Sequence, residues 1–162
     1  MLRIFHHPGN LDFCKLNAVY AQSNAQSAKM IYPLEEPRLA CLQAEYDFER
    51  YVRDEFFHVS GAFYAVWEES GAYICALRME PYLEGYLLTS LETHPDYRRR
   101  GYATELILAV ADFVSRPVYA HIYKDNHISM ATHSKCGFCQ ILDYAKLLDG
   151  TVTQRACTMR LR

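Results

Sequence analysis

The segment Arg98 to Thr104 carries three consecutive arginines, a glycine and a small residue, directly after a run typical of a β-strand. A tight basic turn that opens a helix leaves backbone N–H groups unpaired at the positive end of the helix dipole. Gly101 and Ala103 let a pyrophosphate approach that backbone closely, and the arginines add charge. These residues alone fit an anion site and a solvated arginine run before an ordinary helix about equally well.

Six cysteines could form disulfides or hold a metal, and they stand at positions 14, 41, 75, 136, 139 and 157. We expect free thiols, because the composition can fill a core without disulfides and the first residues show no secretory segment. Cys136 and Cys139 have CxxC spacing, but no second such pair or neighbouring histidine pair completes a zinc set. We therefore predict no metal site.

The elements that must position the arginine turn follow from hydrophobic spacing. Apolar or small residues at steps of three and four predict helices from Leu11 to Ala28, from Leu39 to Phe57 and from Tyr102 to Val114, and a further helix spans about Asn126 to Lys135. Short aromatic and β-branched runs predict strands, and these cover residues 62–67, 73–79, 86–91, 118–123, 138–147 and 152–161.

This order of elements predicts an α+β fold with a mixed, mostly antiparallel sheet of six to seven strands and about four flanking helices. The helix between the third and fourth predicted strands permits a parallel pair. The 162 residues fit a single domain, 1–162. A net charge of -2 is a poor match for nucleic acid. No apolar run reaches the length of a membrane span, so we expect a cytoplasmic protein without nucleic-acid or membrane partners.

Two motifs in the expected order carry a resemblance to a known family. Arg98-Arg99-Arg100-Gly101-Tyr102-Ala103 is similar to the signature R/Q-x-x-G-x-G/A, with Pro95 before it. Asn126, Ser129 and Gly137-Phe138 form the second block. On these residues the sequence resembles the GCN5-related N-acetyltransferase (GNAT) superfamily over residues 85–138. The same match makes the CxxC spacing incidental.

The resemblance implies acetyl-CoA as cosubstrate. Its pantetheine arm would lie where the strand of Tyr86 splays from the strand of Tyr119, paired with backbone groups as an added strand would be. Its phosphates would meet the N–H groups at the start of the helix. Asn126 would both hold the cofactor and cap its helix. The cofactor-binding residues implied in this way are Leu91, Glu92, Thr93, Arg98, Arg99, Arg100, Gly101, Tyr102, Ala103, Thr104, Asn126, Ser129 and His133.

The resemblance also indicates candidate catalytic residues. Some members place a glutamate five residues before the motif asparagine, where this chain has His121, which is mostly neutral at pH 7 and can accept a proton. A half-buried histidine bonded to a neighbour is the competing interpretation, and Glu92 or His94 are fallback bases. Many members carry a tyrosine seven residues after the asparagine, where His133 stands. His133 could protonate the thiolate, or it could line the channel while Tyr123 or solvent does so.

The implied reaction is acetyl transfer from acetyl-CoA to a primary amine. In the superfamily the acceptor pocket is built by the first two helices and the loop between the last two strands, here 11–57 and 147–153. We predict a small-molecule amine, followed by a protein N-terminus or lysine. A non-catalytic acyl-CoA-binding regulatory module and a toxin acetylating aminoacyl-tRNA are further alternatives. Both a monomer and a homodimer stay open.

Overall fold

The computed structural model describes residues 1–161. Within them, seven strands form one mixed sheet in the order β1-β2-β3-β4-β5-β9-β6, and β7 pairs with β8 in a separate ribbon. The strands are β1 Leu2–Phe5, β2 Phe63–Glu69, β3 Ala72–Tyr82, β4 Gly85–Thr93, β5 Val118–Tyr123, β6 Phe138–Leu142, β7 Ala145–Lys146, β8 Val152–Thr153 and β9 Ala156–Leu161. The helices are α1 Phe13–Val19, α2 Ala21–Ile31, α3 Pro37–Asp54, α4 Tyr102–Val114 and α5 His127–Lys135.

Strands β4 and β5 run parallel, because α4 carries the chain back between them, and the predicted parallel pair is confirmed. They pair only from Tyr86 with Val118 to Leu88 with Ala120. Beyond those residues β4 continues to Thr93 and β5 to Tyr123, but the two strands no longer pair with each other and are separated by an open gap. The expected splay between these strands is therefore present.

The alternation along each strand divides the core between the two faces of the sheet. On β5, Val118, Ala120 and Ile122 pack with Leu106 and Ile107 of α4. On the other face, the aromatic and aliphatic side chains of β2 pack against α1 and α3. Since side chains alternate along a strand, the odd-numbered residues of β5 face α3 rather than α4.

Three features differ from the sequence-based expectation. The first predicted helix is interrupted at Tyr20, whose backbone is not helical and whose O–H donates to the carbonyl oxygen of Ser90 at 2.6 Å. The described chain therefore has five helices rather than four. Strand β1 was not predicted, because four residues are too few to show a period, and it is defined by its pairing with β2. Each of the last two predicted strands is divided into two.

No helix in the described residues is both long enough and apolar enough to cross a lipid bilayer.

Candidate functional site

The start of α4 is open to an incoming anion. Gly101 has a left-handed φ of +91°, and no side chain caps the helix. The N–H of Glu105 donates to the Gly101 carbonyl oxygen at 3.1 Å, which leaves the N–H groups of Tyr102, Ala103 and Thr104 outside the helical pattern. A Cβ atom built on Gly101 would meet nothing within 4 Å. These amides lie at the positive end of the helix dipole.

Two of the three arginines hold this loop to its surroundings. Arg98 donates from Nε to the carbonyl oxygen of Thr93 at 3.1 Å, and its guanidinium lies 3.8 Å from Glu92. Arg100 donates to the Asp96 carbonyl oxygen at 3.0 Å. Arg99 is exposed and has a left-handed φ of +62°. Arg98 and Arg100 therefore shape the turn that presents the helix amides.

A β-bulge in β4 sets the backbone of the gap. Ser90 has a left-handed φ of +50°, and the register between β3 and β4 shifts opposite it. Past the bulge, the His94 N–H donates to the Ile74 carbonyl oxygen at 2.8 Å. Since backbone groups alternate along a strand, the N–H groups of Leu91 and Thr93 point the other way, towards the gap beside β5.

A cavity of about 700 Å³ adjoins the gap on the α3 face of the sheet. Its walls come from α3, β4, β5 and the β7–β8 hairpin, and they include Tyr51, Glu55, His121, Tyr123 and Asp149. Glu55 and Asp149 are its only charged lining residues in the described chain, so the walls carry negative charge. The cavity lies where the second helix and the last loop were expected to form an acceptor pocket.

His121 is placed in this cavity with one ring nitrogen unsatisfied. Its ring packs edge-to-face against Tyr82, with centroids 5.2 Å apart. Nε2 is buried and has no hydrogen-bond partner among the described residues. Burial lowers the pKa of His121 below its ordinary value, so the imidazole is neutral at pH 7. His121 is half-buried, as the competing interpretation expected, but its Nε2 does not make the hydrogen bond to a neighbour that this interpretation also included.

His133 lies in a different environment, within α5. It is 2% exposed, packs against Phe138, and its Nδ1 is 2.9 Å from the Ser129 carbonyl oxygen. Burial lowers the pKa of His133, which disfavours the imidazolium that a proton donor would need. Asn126 caps the same helix, because its Oδ1 accepts from the Ser129 N–H at 3.0 Å. The predicted N-cap role of Asn126 is confirmed.

Glu92 is separated from His121 and lies in a second cavity of about 350 Å³. Its carboxylate accepts a hydrogen bond from the Ser23 hydroxyl and pairs with Arg98. The structure therefore brings His121 and Tyr123 together, whereas Glu92 lies across the bulge and His133 lies in α5. The two cavities share one lining residue, Tyr51.

Sequence reasoning missed Tyr51, Glu55 and Arg78 as individual lining residues. Arg78 had a detectable signal, since it is the only charge between Tyr73 and Met79 in an otherwise apolar strand. Glu55 is one of several acidic residues of the second predicted helix that could attract a cationic amine, and nothing in the sequence distinguishes it from a charge on the solvated face of that helix.

The described residues contain no group of three histidine, cysteine, aspartate or glutamate side chains placed to hold a metal ion. The six cysteines are free thiols.

Comparison with known families identifies the class of this protein. The sequence profile described as "Acetyltransferase (GNAT) family" matches residues 28–138. The chain therefore belongs to the acetyltransferase (GNAT) family, and it is an N-acetyltransferase by class. No curated protein sequence matches it significantly.

Solved structures share the fold at low sequence identity. PaiA N-acetyltransferase from Thermoplasma acidophilum, in complex with coenzyme A, has 12% identity, a TM-score of 0.66 and coverage of 100% of this chain and 99% of its own. A chimera of the Vibrio cholerae spermidine N-acetyltransferase SpeG and hSSAT has 16% identity and a TM-score of 0.59, and the match covers 99% of this chain and 93% of the chimera. The ribosomal-protein-S18-alanine N-acetyltransferase from Escherichia coli has 18% identity and a TM-score of 0.50, and the match covers 72% of this chain and 75% of that enzyme. At these identities the likeness shows the fold alone.

Proposed function

We propose that this protein transfers an acetyl group from acetyl-CoA to the primary amine of a small molecule. The observation that carries the proposal is the position of His121 in the wall of a 700 Å³ cavity beside the splayed strands, with no hydrogen bond to its Nε2 from any of residues 1–161. A neutral imidazole there is suited to take the proton that an ammonium must lose before its nitrogen can attack.

The chain's own groups fit acetyl-CoA. The N–H groups from Arg99 to Thr104 supply donors for the diphosphate, and Gly101 leaves the approach open. The N–H group of Thr93 and the C=O group of Leu91 would pair with the pantetheine arm as a neighbouring strand does, whereas the C=O group of Thr93 already accepts from Arg98. The far side of the arm would contact the start of α5 at Asn126 and Ser129.

The proposed reaction forms one C–N bond and breaks one C–S bond. His121 removes a proton from the ammonium, and the amine nitrogen then attacks the thioester carbonyl carbon. The N–H of Leu91 would donate to the carbonyl oxygen as negative charge develops there. The thiolate leaves with the C–S electron pair and takes a proton from Tyr123 or from solvent, since Tyr123 shares the cavity with His121.

The cavity favours a small cationic acceptor. Its volume lies in the range typical of small-ligand pockets, and Glu55 and Asp149 would attract an ammonium group before it loses its proton. A protein N-terminus or lysine is the second candidate acceptor, because an amine on a flexible chain end could enter the same cavity.

A panel of amines and N-terminal peptides tests this proposal. Purified protein is incubated with acetyl-CoA and each acceptor, free thiol is measured, and the N-acetylated product is confirmed by mass spectrometry. We expect product from small amines, with kcat/KM falling about 10²- to 10⁴-fold in His121→Ala. A full rate in His121→Ala would remove His121 from the mechanism, and faster turnover of peptides would favour the second candidate.

A further inference from the structure

The second cavity has no assigned role in the proposed reaction. It lies between α2, α3 and the bulge of β4, and its 350 Å³ are lined in part by Asn24, Tyr51, Arg78, Ser90 and Glu92. Asn24 is buried at 6% exposure, so polar groups reach well below the protein surface here. Tyr51 also lines the His121 cavity, which makes the two spaces neighbours.

Arg78 brings a positive charge into this cavity. Its guanidinium donates to the Ser90 hydroxyl and lies 5.0 Å from the Tyr51 ring centroid and 5.6 Å from that of Phe56. Its Nε is buried and has no acceptor in residues 1–161. None of the ion pairs found among those residues involves Arg78. Charged side chains in such surroundings are normally paired, because an unpaired buried charge is costly.

The two carboxylates of the cavity are already occupied. Glu92 accepts a hydrogen bond from Ser23 and pairs with Arg98 at 3.8 Å. Asp47 accepts from Gln43 at 3.1 Å and pairs with Arg50 at 3.8 Å. Both therefore have a cationic partner of their own.

The remaining nearby carboxylate, Glu80, is also buried and lies on the same face of β3 as Arg78. It accepts a hydrogen bond from Thr89 at 3.3 Å and is not within ion-pair distance of Arg78. The guanidinium thus keeps unused donor capacity of the kind that binds a planar carboxylate in two parallel hydrogen bonds.

We propose that Arg78 binds a carboxylate group of the acceptor, so that the substrate is an amino-carboxylate, such as an amino acid. This inference rests on the proposed acetyl transfer to a small amine. Arg78 is the register partner of Thr89, and Thr89 lines the cavity that holds His121. Adjacent paired strands are about 4.8 Å apart, and β4 and β5 separate further beyond Leu88 and Ala120, so the backbone positions of Arg78 and His121 are at least about 10 Å apart. Because Tyr51 lines both cavities, a small molecule that extends past its ring would place its amine at His121 and its carboxylate at Arg78.

The test compares matched acceptors that differ only in the carboxylate. Each amino acid is assayed beside its amide and its decarboxylated amine, at saturating acetyl-CoA. We expect the wild-type protein to prefer the carboxylate form by about tenfold to a hundredfold in kcat/KM, the range for hydrogen bonds to a charged group. Arg78→Met should abolish that preference while changing turnover of the decarboxylated amine little. Arg116→Met, an exposed arginine at the end of α4, is the control and should keep it.

Further measurements distinguish a loss of carboxylate binding from a loss of folding in the variants. Arg78→Lys retains the charge but not the planar fork, so it should keep only part of the preference. Calorimetry of N-acetyl amino acids against their amides tests binding without turnover, and the unfolding midpoint of each variant is measured alongside. Equal kcat/KM for the carboxylate and amide in the wild type, or equal loss for all acceptors in a folded Arg78→Met, would overturn the proposal. No product from any amine would instead refute the acetyl transfer, and calorimetry would still decide on Arg78.

Discussion

Replacing Gly101 with glutamate should weaken coenzyme A binding while leaving the fold nearly intact. The backbone there has a φ of +91°, which costs a residue with a side chain about 1–2 kcal/mol. The space around its Cβ is empty to 4 Å, so no further steric cost falls on the protein itself. The melting temperature should therefore drop by only a few degrees.

The loss of binding should be much larger than the loss of stability. A diphosphate seated on the first amides of α4 would occupy the space into which the new side chain projects. Each hydrogen bond to a charged group is worth about 1.5–3 kcal/mol, or roughly tenfold to 150-fold in affinity. Glutamate would displace such bonds and add a repelling charge, so we expect Kd for coenzyme A to rise at least about a hundredfold. Gly101→Ala, without the charge, should weaken binding less.

Gly150 provides a matched control in the β7–β8 hairpin. It has a φ of +87°, and a Cβ there also meets nothing within 4 Å. Gly150→Glu therefore carries the same backbone cost and the same charge at a position away from α4. Isothermal titration with coenzyme A measures both variants. If the two glutamate variants bind coenzyme A equally well, the anion site at Gly101 does not exist.

Three further predictions concern single side chains. Because burial lowers the pKa of His121, kcat/KM should stay high down to pH 6.5 and fall only below that pH. His121→Gln should lose this acidic fall in kcat/KM, whereas His58→Ala, which replaces an exposed histidine, should keep it. Burial also lowers the pKa of His133, so below pH 6.5 the unfolded chain binds more protons than the native one. Denaturant titrations should then show that the free energy of unfolding falls as pH falls, by up to about 1.4 kcal/mol per pH unit for this group. The fall should be smaller in His133→Gln. The same pH dependence in both proteins would contradict this. Tyr20→Phe removes the 2.6 Å bond to the bulged Ser90 and should lower kcat more than it raises KM for acetyl-CoA, whereas unchanged kcat would show that the bulge needs no such support.

Local spacing was sufficient for the elements that surround the cofactor site. The alternation from Val118 to Tyr123 and the apolar stripe from Tyr102 to Val114 predicted β5 and α4 with the bounds that the structure has. Both patterns depend on neighbours within one element, and the arginine turn between strand and helix is equally local. The type of fold and the position of the predicted anion site therefore follow from short stretches of sequence.

Strand β1 and the break between α1 and α2 at Tyr20 could not be predicted from local spacing. Four residues of β1 carry too little periodicity, and β2 provides their hydrogen-bond partners from about sixty positions away. The backbone of Tyr20 is not helical, although the sequence pattern on both sides predicts one continuous helix. Its hydroxyl donates to the carbonyl oxygen of Ser90, seventy positions away.

The sequence alone thus determined the order of elements, the glycine-containing turn and the family resemblance, because each depends on residues close together in the chain. The tertiary structure decided that His121 and Tyr123 share a cavity, that Glu92 lies in another, and that Arg78 forms no ion pair with any of residues 1–161. The alternation along β5 already puts His121 and Tyr123 on one face, but whether that face opens into a cavity, and which charges lie near it, depends on how far β4 and β5 separate and on how α3 packs across the sheet. No local pattern encodes such distances.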